Sequence, residues 1–162
     1  MGITKRQIRT PTTTFSFAII EDGALGRKIL DILEYCKPVL SYASRTWSLP
    51  RAVKCTIENL STDRFACKYA DPQSHYNIKM NLTKIHELET MCDEQEFRSN
   101  VVCIFLHECA HFKTRSEEEA EHLVDELVLE YVTAIRGEST LIFQRDKPSN
   151  SCAATELAKE DK

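Results

Sequence analysis

Six consecutive apolar residues, Val101-Val102-Cys103-Ile104-Phe105-Leu106, run straight into His107-Glu108-Cys109-Ala110-His111, and this junction constrains the fold more than any other stretch. The apolar run alone would suit a buried strand or a buried helix. The histidine spacing favours a helix, because residues four apart stand on one helical face, a turn apart. A helix over about 95–113 is therefore expected, apolar nearly all round. Polar groups carried into such an element need partners there.

Two imidazoles one turn apart can aim at a single point, as a tetrahedral Zn²⁺ with nitrogen ligands at about 2.0–2.1 Å requires. Glu108 is rotated about 100° from His107, beside such an ion and not on it, where a carboxylate can hold and deprotonate a bound water. His107 and His111 are thus candidate zinc ligands and Glu108 a candidate catalytic base. A catalytic site needs a third protein ligand and one open position.

That ligand is sought on a last amphipathic helix, expected over about 116–136. Ser116 with Glu119 gives it a capping-box start, and Gly137 a stop. With Ala120 at zero, the apolar residues Leu123, Val124, Leu127, Val128, Tyr131 and Ile135 fall between about −60° and +80°. Glu117 lies at about +60°, inside this core-facing sector, and Glu121 at about +100°, on its edge. Glu118, Glu119, His122, Asp125 and Glu126 point to water. Glu117 is therefore the candidate third ligand, and Glu121 the acceptor that orients a histidine N–H. A shift of one turn would put Glu121 on the metal with Asp125 behind it, and His122 is a further alternative.

The rest of the chain is expected to build an α+β domain over 14–144. A helix is predicted over 24–46, kinked or interrupted at Pro38. Three β-type segments follow, at 52–57, 64–69 and 76–82, the last with Tyr76, Ile78, Met80 and Leu82 alternating with polar residues. Asp71-Pro72-Gln73-Ser74 is the turn between the last two, and Glu87 to Arg98 is a polar segment. Residues 1–13 read as a flexible arm and 145–162 as a disordered tail.

Composition narrows the function classes. A formal charge of −4, with only Lys5, Arg6 and Arg9 as a basic patch, gives no nucleic-acid footprint. No apolar run approaches the roughly 18–20 residues that span a bilayer, and no signal peptide is read, so a cytoplasmic protein is expected. Seven cysteines at irregular spacings, none as Cys-x-x-Cys, suggest reduced thiols and not a disulfide framework.

From about Tyr76 to Tyr131 the chain resembles the gluzincin peptidases, in particular the ImmA/IrrE-like family of small bacterial and phage metallopeptidases. The resemblance is carried by the strand Tyr76–Asn81, the His-Glu-x-x-His helix, and Glu117-Glu118-Glu119-Ala120-Glu121-His122-Leu123-Val124. Ala110 and Glu121 depart from the family pattern. The resemblance implies a minimal zincin-like domain: an N-terminal helix, a small three-stranded sheet, the His-Glu-x-x-His helix and a glutamate helix. It also places the family's zinc-binding Glu on Glu117. It implies that the 76–82 strand is an edge strand, so that Ile78 and Met80 lie in a segment that pairs with an extended peptide or protein substrate. The expected activity is zinc-dependent peptide hydrolysis, with Tyr69, Tyr76 and Tyr131 as candidates for stabilising the oxyanion. The alternative is a non-catalytic zinc-binding regulatory module on the same scaffold.

Overall fold

The computed structural model describes residues 3–20, 23–69 and 77–135. The chain enters as a strand, β1 (Thr4–Arg9), which turns at Thr10–Thr13 and pairs antiparallel with β2 (Thr14–Ile19). Part of the segment expected to be a loose arm is thus an edge strand. Its alternation is hard to see in sequence because Ile8 is its one buried residue. In β2 the alternating Phe15, Phe17 and Ile19 all face the core.

Helices α1 (Ala24–Tyr35) and α2 (Lys37–Thr46) divide the predicted 24–46 helix at Cys36. Pro38 occupies the first turn of α2, where its missing N–H leaves no helical bond unmade. Gly26 lets α1 lie close on the sheet, since a Cβ there would come within 2.8 Å of Ile19 Cγ2. The helix pair carries the chain across to β3 (Ala52–Glu58), parallel to β2. β4 (Ala66–Lys68) and β5 (Ile78–Asn81) complete a mixed five-stranded sheet in the order β1-β2-β3-β5-β4. An α+β fold was expected, but the sheet has five strands and not three.

The order of the strands corrects a second expectation. β5 is interior, paired parallel to β3 and antiparallel to β4. Ile78 and Met80 are 0% exposed and belong to the core, and the outer strand on this side is β4. Their alternation reflects a strand with one face packed under helices, which sequence cannot tell from an edge strand with one face in a cleft. Tyr76, the 71–74 turn, Gly137 and the C-terminal tail lie outside the described residues.

Leu82 begins helix α3 (Leu82–Met91) and does not end a strand. Only Leu82, Ile85 and Leu88 are buried in it, so the helix hides inside what reads as polar sequence. Asp93 caps α4 (Glu94–Ala110), accepting 2.8 Å from the Glu96 N–H. Every residue of α4 from Ser99 to Ala110 is buried, because it lies between the sheet and helices α1, α3 and α5 (Glu117–Ile135). Phe105 meets Phe15 and Phe17 with ring centroids 5.5 Å away in each case. The continuous apolar run follows directly from this position, and its polar end emerges beside β4.

Candidate metal centre

His107 sits in the last turn of α4 and His111 at its C-cap. Past His111 the backbone tightens, with Phe112 N–H donating to Cys109 O and Lys113 N–H to Ala110 O. Ser116 then opens α5, its hydroxyl accepting 3.1 Å from the Glu119 N–H. The predicted capping box is half made: the Glu119 carboxylate instead accepts from the Thr114 hydroxyl at 2.8 Å, and that hydroxyl accepts from the Ser116 N–H at 3.2 Å. This compact turn reverses the chain so that the first residue of α5, Glu117, faces the last turn of α4.

The resulting geometry brings together the residues singled out from sequence. Nε2 of His107 and Nε2 of His111 are 3.2 Å apart. Glu117 Oε2 is 2.5 Å from His111 Nε2, and its Oε1 is 3.6 Å from His107 Nε2. His107, Glu108 and His111 each offer a ligand atom within 4.8 Å of the others. Ligands held at about 2.0–2.1 Å from a tetrahedral zinc stand roughly 3.3 Å from one another. The imidazole pair and the His107–Glu117 pair match that spacing, while His111 Nε2 and Glu117 Oε2 stand closer together than two ligands of one ion. Two neutral imidazole nitrogens and a carboxylate form a donor set suited to zinc.

The remaining ring nitrogens differ. His111 Nδ1 is 2.9 Å from the carbonyl oxygen of Thr114; a carbonyl can only accept, so Nδ1 carries the proton and Nε2 presents a lone pair. The role expected of Glu121 as orienting acceptor for a histidine is thus filled, for His111, by a backbone carbonyl. Glu121 is half-buried and acts on His107 through its charge, yet His107 Nδ1 is buried without a hydrogen-bond partner among the described residues. Burial pushes His107 down to about 4 and His111 adds to this, while Glu117 opposes it. The ring is therefore neutral at pH 7, with no proton to displace before it can bind a metal. Glu118, Glu119, His122, Asp125 and Glu126 are exposed, as their helical phase implied.

Glu108, His111, Thr114 and Glu117 open on a cleft of about 490 Å³. Its other wall comes from residues the sequence reading did not single out for this site: Arg64, Cys67, Lys68 and Arg115. Lys68 Nζ lies 4.3 Å from the centre of the Phe112 ring. Burial lowers its pKa and Arg115 adds to the effect, while Glu108 draws it upward. Cys67 is raised by burial, and Tyr69 is pushed up to about 12 by its hydrogen bond to Cys67. Of the tyrosines considered for an oxyanion, Tyr131 is buried in the core, its ring centroid 5.8 Å from that of Tyr42.

Asn81 positions this second wall. The side chain is fully buried and uses all four of its hydrogen-bonding sites. Its oxygen accepts from Thr83 N–H and Leu60 N–H, each at 3.1 Å. Its amide donates to Thr62 O at 3.0 Å and to Arg64 O at 2.9 Å. One residue therefore caps α3 and ties down the 60–64 loop that delivers Arg64 and β4 to the cleft.

No family model, curated protein or solved structure matches the chain. Among the described residues, no helix is long and apolar enough to cross a membrane, and six free cysteines are present; Cys152 lies outside them.

Proposed function

We propose that the protein is a zinc-dependent metallopeptidase of the gluzincin kind, on a zincin-like scaffold. The observation that carries the reading is the convergence of His107 Nε2, His111 Nε2 and the Glu117 carboxylate on one point, with Glu108 beside them at an open cleft. His107, His111 and Glu117 are the residues that would hold the ion. When bound, zinc polarises a scissile carbonyl and lowers the pKa of a bound water to about 7.

The protein's own groups do the remaining work. The Thr114 carbonyl fixes the tautomer and ring orientation of His111. Glu108 accepts the proton of the attacking water on a carboxylate oxygen and passes it to the leaving amine nitrogen. A residue with only a structural part in a metal site has no need of such a base, which favours a peptidase over a binding module. The outer strand β4, not β5, offers backbone groups at the cleft to an extended peptide or protein substrate.

Metal analysis and peptide cleavage decide the matter. Wild type is expected to hold one zinc and to cleave members of a diverse peptide library. Glu108→Gln should keep the zinc and lose cleavage. If both proteins bind zinc and neither cleaves any peptide, the reading fails in favour of a non-catalytic module.

A further inference from the structure

We infer that the cleft beside the histidines selects its substrate by a carboxylate close to the scissile bond, recognised by Arg64, Lys68 and Arg115. The inference rests on the peptidase reading of this site and adds to it the class of substrate.

The three cations reach the cleft from three separate places: the loop after β3, the outer strand β4 and the turn between α4 and α5. The chain has 25 carboxylate residues against 21 Lys and Arg, so partners are in excess overall. Some cations elsewhere use them and others do not; the cleft differs in gathering three together. Arg6 lies 2.8 Å from Asp31, and Lys28 lies 2.8 Å from Glu89 and 3.0 Å from Glu94. Among the described residues, none of the three cleft cations has such an ion pair. Lys68 is also held in place, its ammonium on the face of Phe112, where it is partly withdrawn from water. A solvated surface lysine would be neither fixed nor desolvated.

The cleft's own carboxylates do not neutralise this wall. Glu117 is engaged by the histidines, and Glu108 is one charge facing three cations. A divalent ion at the histidines would make the cleft more cationic still. An anionic group entering with the substrate would gain from all of these charges and from the partial exclusion of water. Two sources present that chemistry: an Asp or Glu side chain flanking the cleaved bond, or the C-terminal carboxylate of the substrate.

The test uses the zinc-loaded full chain and acetylated heptapeptides carrying Glu, Gln or Lys at one position, each as C-terminal acid and amide. The Glu peptides are expected to have kcat/KM about ten-fold above Gln, and Lys to be the poorest, with the gap closing as salt rises. Lys68→Ala and Arg115→Ala, checked for retained zinc, should each remove most of that gap, and Arg115→Glu should favour the Lys peptide. An advantage of acids over amides, whatever the side chain, assigns the selection to the substrate C-terminus. The same peptides, fluorescently labelled, are titrated into zinc-loaded Glu108→Gln and followed by anisotropy. Cleavage and binding without any charge preference overturn the inference and leave the peptidase standing. Charge-selective binding without cleavage by wild type upholds the recognition of a carboxylate by these cations and overturns both the peptidase and its placement beside a scissile bond. Neither cleavage nor selective binding overturns both.

Discussion

The carbonyl oxygen of Thr114 lies 2.9 Å from Nδ1 of His111, and this contact decides which nitrogen of His111 faces Glu117. Because the acceptor is backbone, the contact depends on the conformation of the turn. The turn in turn depends on the Thr114 hydroxyl, which links the Ser116 N–H to the Glu119 carboxylate.

The assignment of ligands can be read from zinc affinity. Glu117→Ala removes a group in contact with both imidazoles and is expected to weaken zinc binding by more than the 10–100-fold typical of an outer partner. Glu121→Gln, which leaves those contacts intact, should weaken it by less than about 10-fold. Competition against a chromophoric chelator at fixed pH measures both. A larger loss from Glu121→Gln than from Glu117→Ala would move the third ligand one turn along α5.

His107 makes the metal-free protein acid-sensitive. Its folded pKa of about 4 lies below the ordinary 6.5, so the unfolded chain binds the proton more readily between those values. The contribution to stability is complete above about pH 6.5 and falls as pH drops toward 4, by about 3 kcal/mol in all. Urea unfolding of the metal-free protein across this window should show the loss, and His107→Gln should flatten the slope. An unchanged slope in His107→Gln would mean that the acid sensitivity lies elsewhere.

Ser48 adopts φ 51° immediately after α2, where Ser48 N–H and Leu49 N–H donate to Arg45 O and Ser44 O in a Schellman turn. A left-handed residue with a Cβ is strained, and glycine is not. Ser48→Gly is therefore expected to stabilise by about 0.5–1 kcal/mol, and Ser48→Val to destabilise. Thermal unfolding of the two variants reads the sign directly. Destabilisation by Gly would show that the serine side chain contributes more than its backbone costs.

The residues of the candidate metal centre were legible because both signals are local. The His107–His111 spacing is a property of one helix, and the phase of Glu117 is a property of the next. Their meeting at 2.5 Å needed only the short turn between them. The sheet was read less well, because strand order depends on pairings between segments far apart in sequence. β3, β4 and β5 were found, but nothing in the alternation of Ile78 and Met80 says which strand lies outermost. β1 and α3 were missed because each buries few apolar residues, one in β1 and three in α3. The cationic wall was invisible for the reason that hid the strand order: Arg64, Lys68 and Arg115 are scattered in sequence and meet only through the sheet and the turn.

Asn81 joins that wall to the rest of the fold, and its loss should be felt at both places. Asn81→Ala leaves Leu60 N–H, Thr83 N–H, Thr62 O and Arg64 O without their partner. Groups that reach water recover part of this, so a cost of about 2–4 kcal/mol is expected. Asn81→Asp tests the amide separately, since a carboxylate still accepts from the two N–H groups but cannot donate to the two carbonyls. It should therefore also destabilise, while retaining the cap of α3. Because three of these four bonds hold the loop that carries Arg64 into the cleft, both variants should show faster amide exchange in residues 60–66 than in α4. Uniform exchange across the domain, or stability equal to wild type, would remove Asn81 from this role.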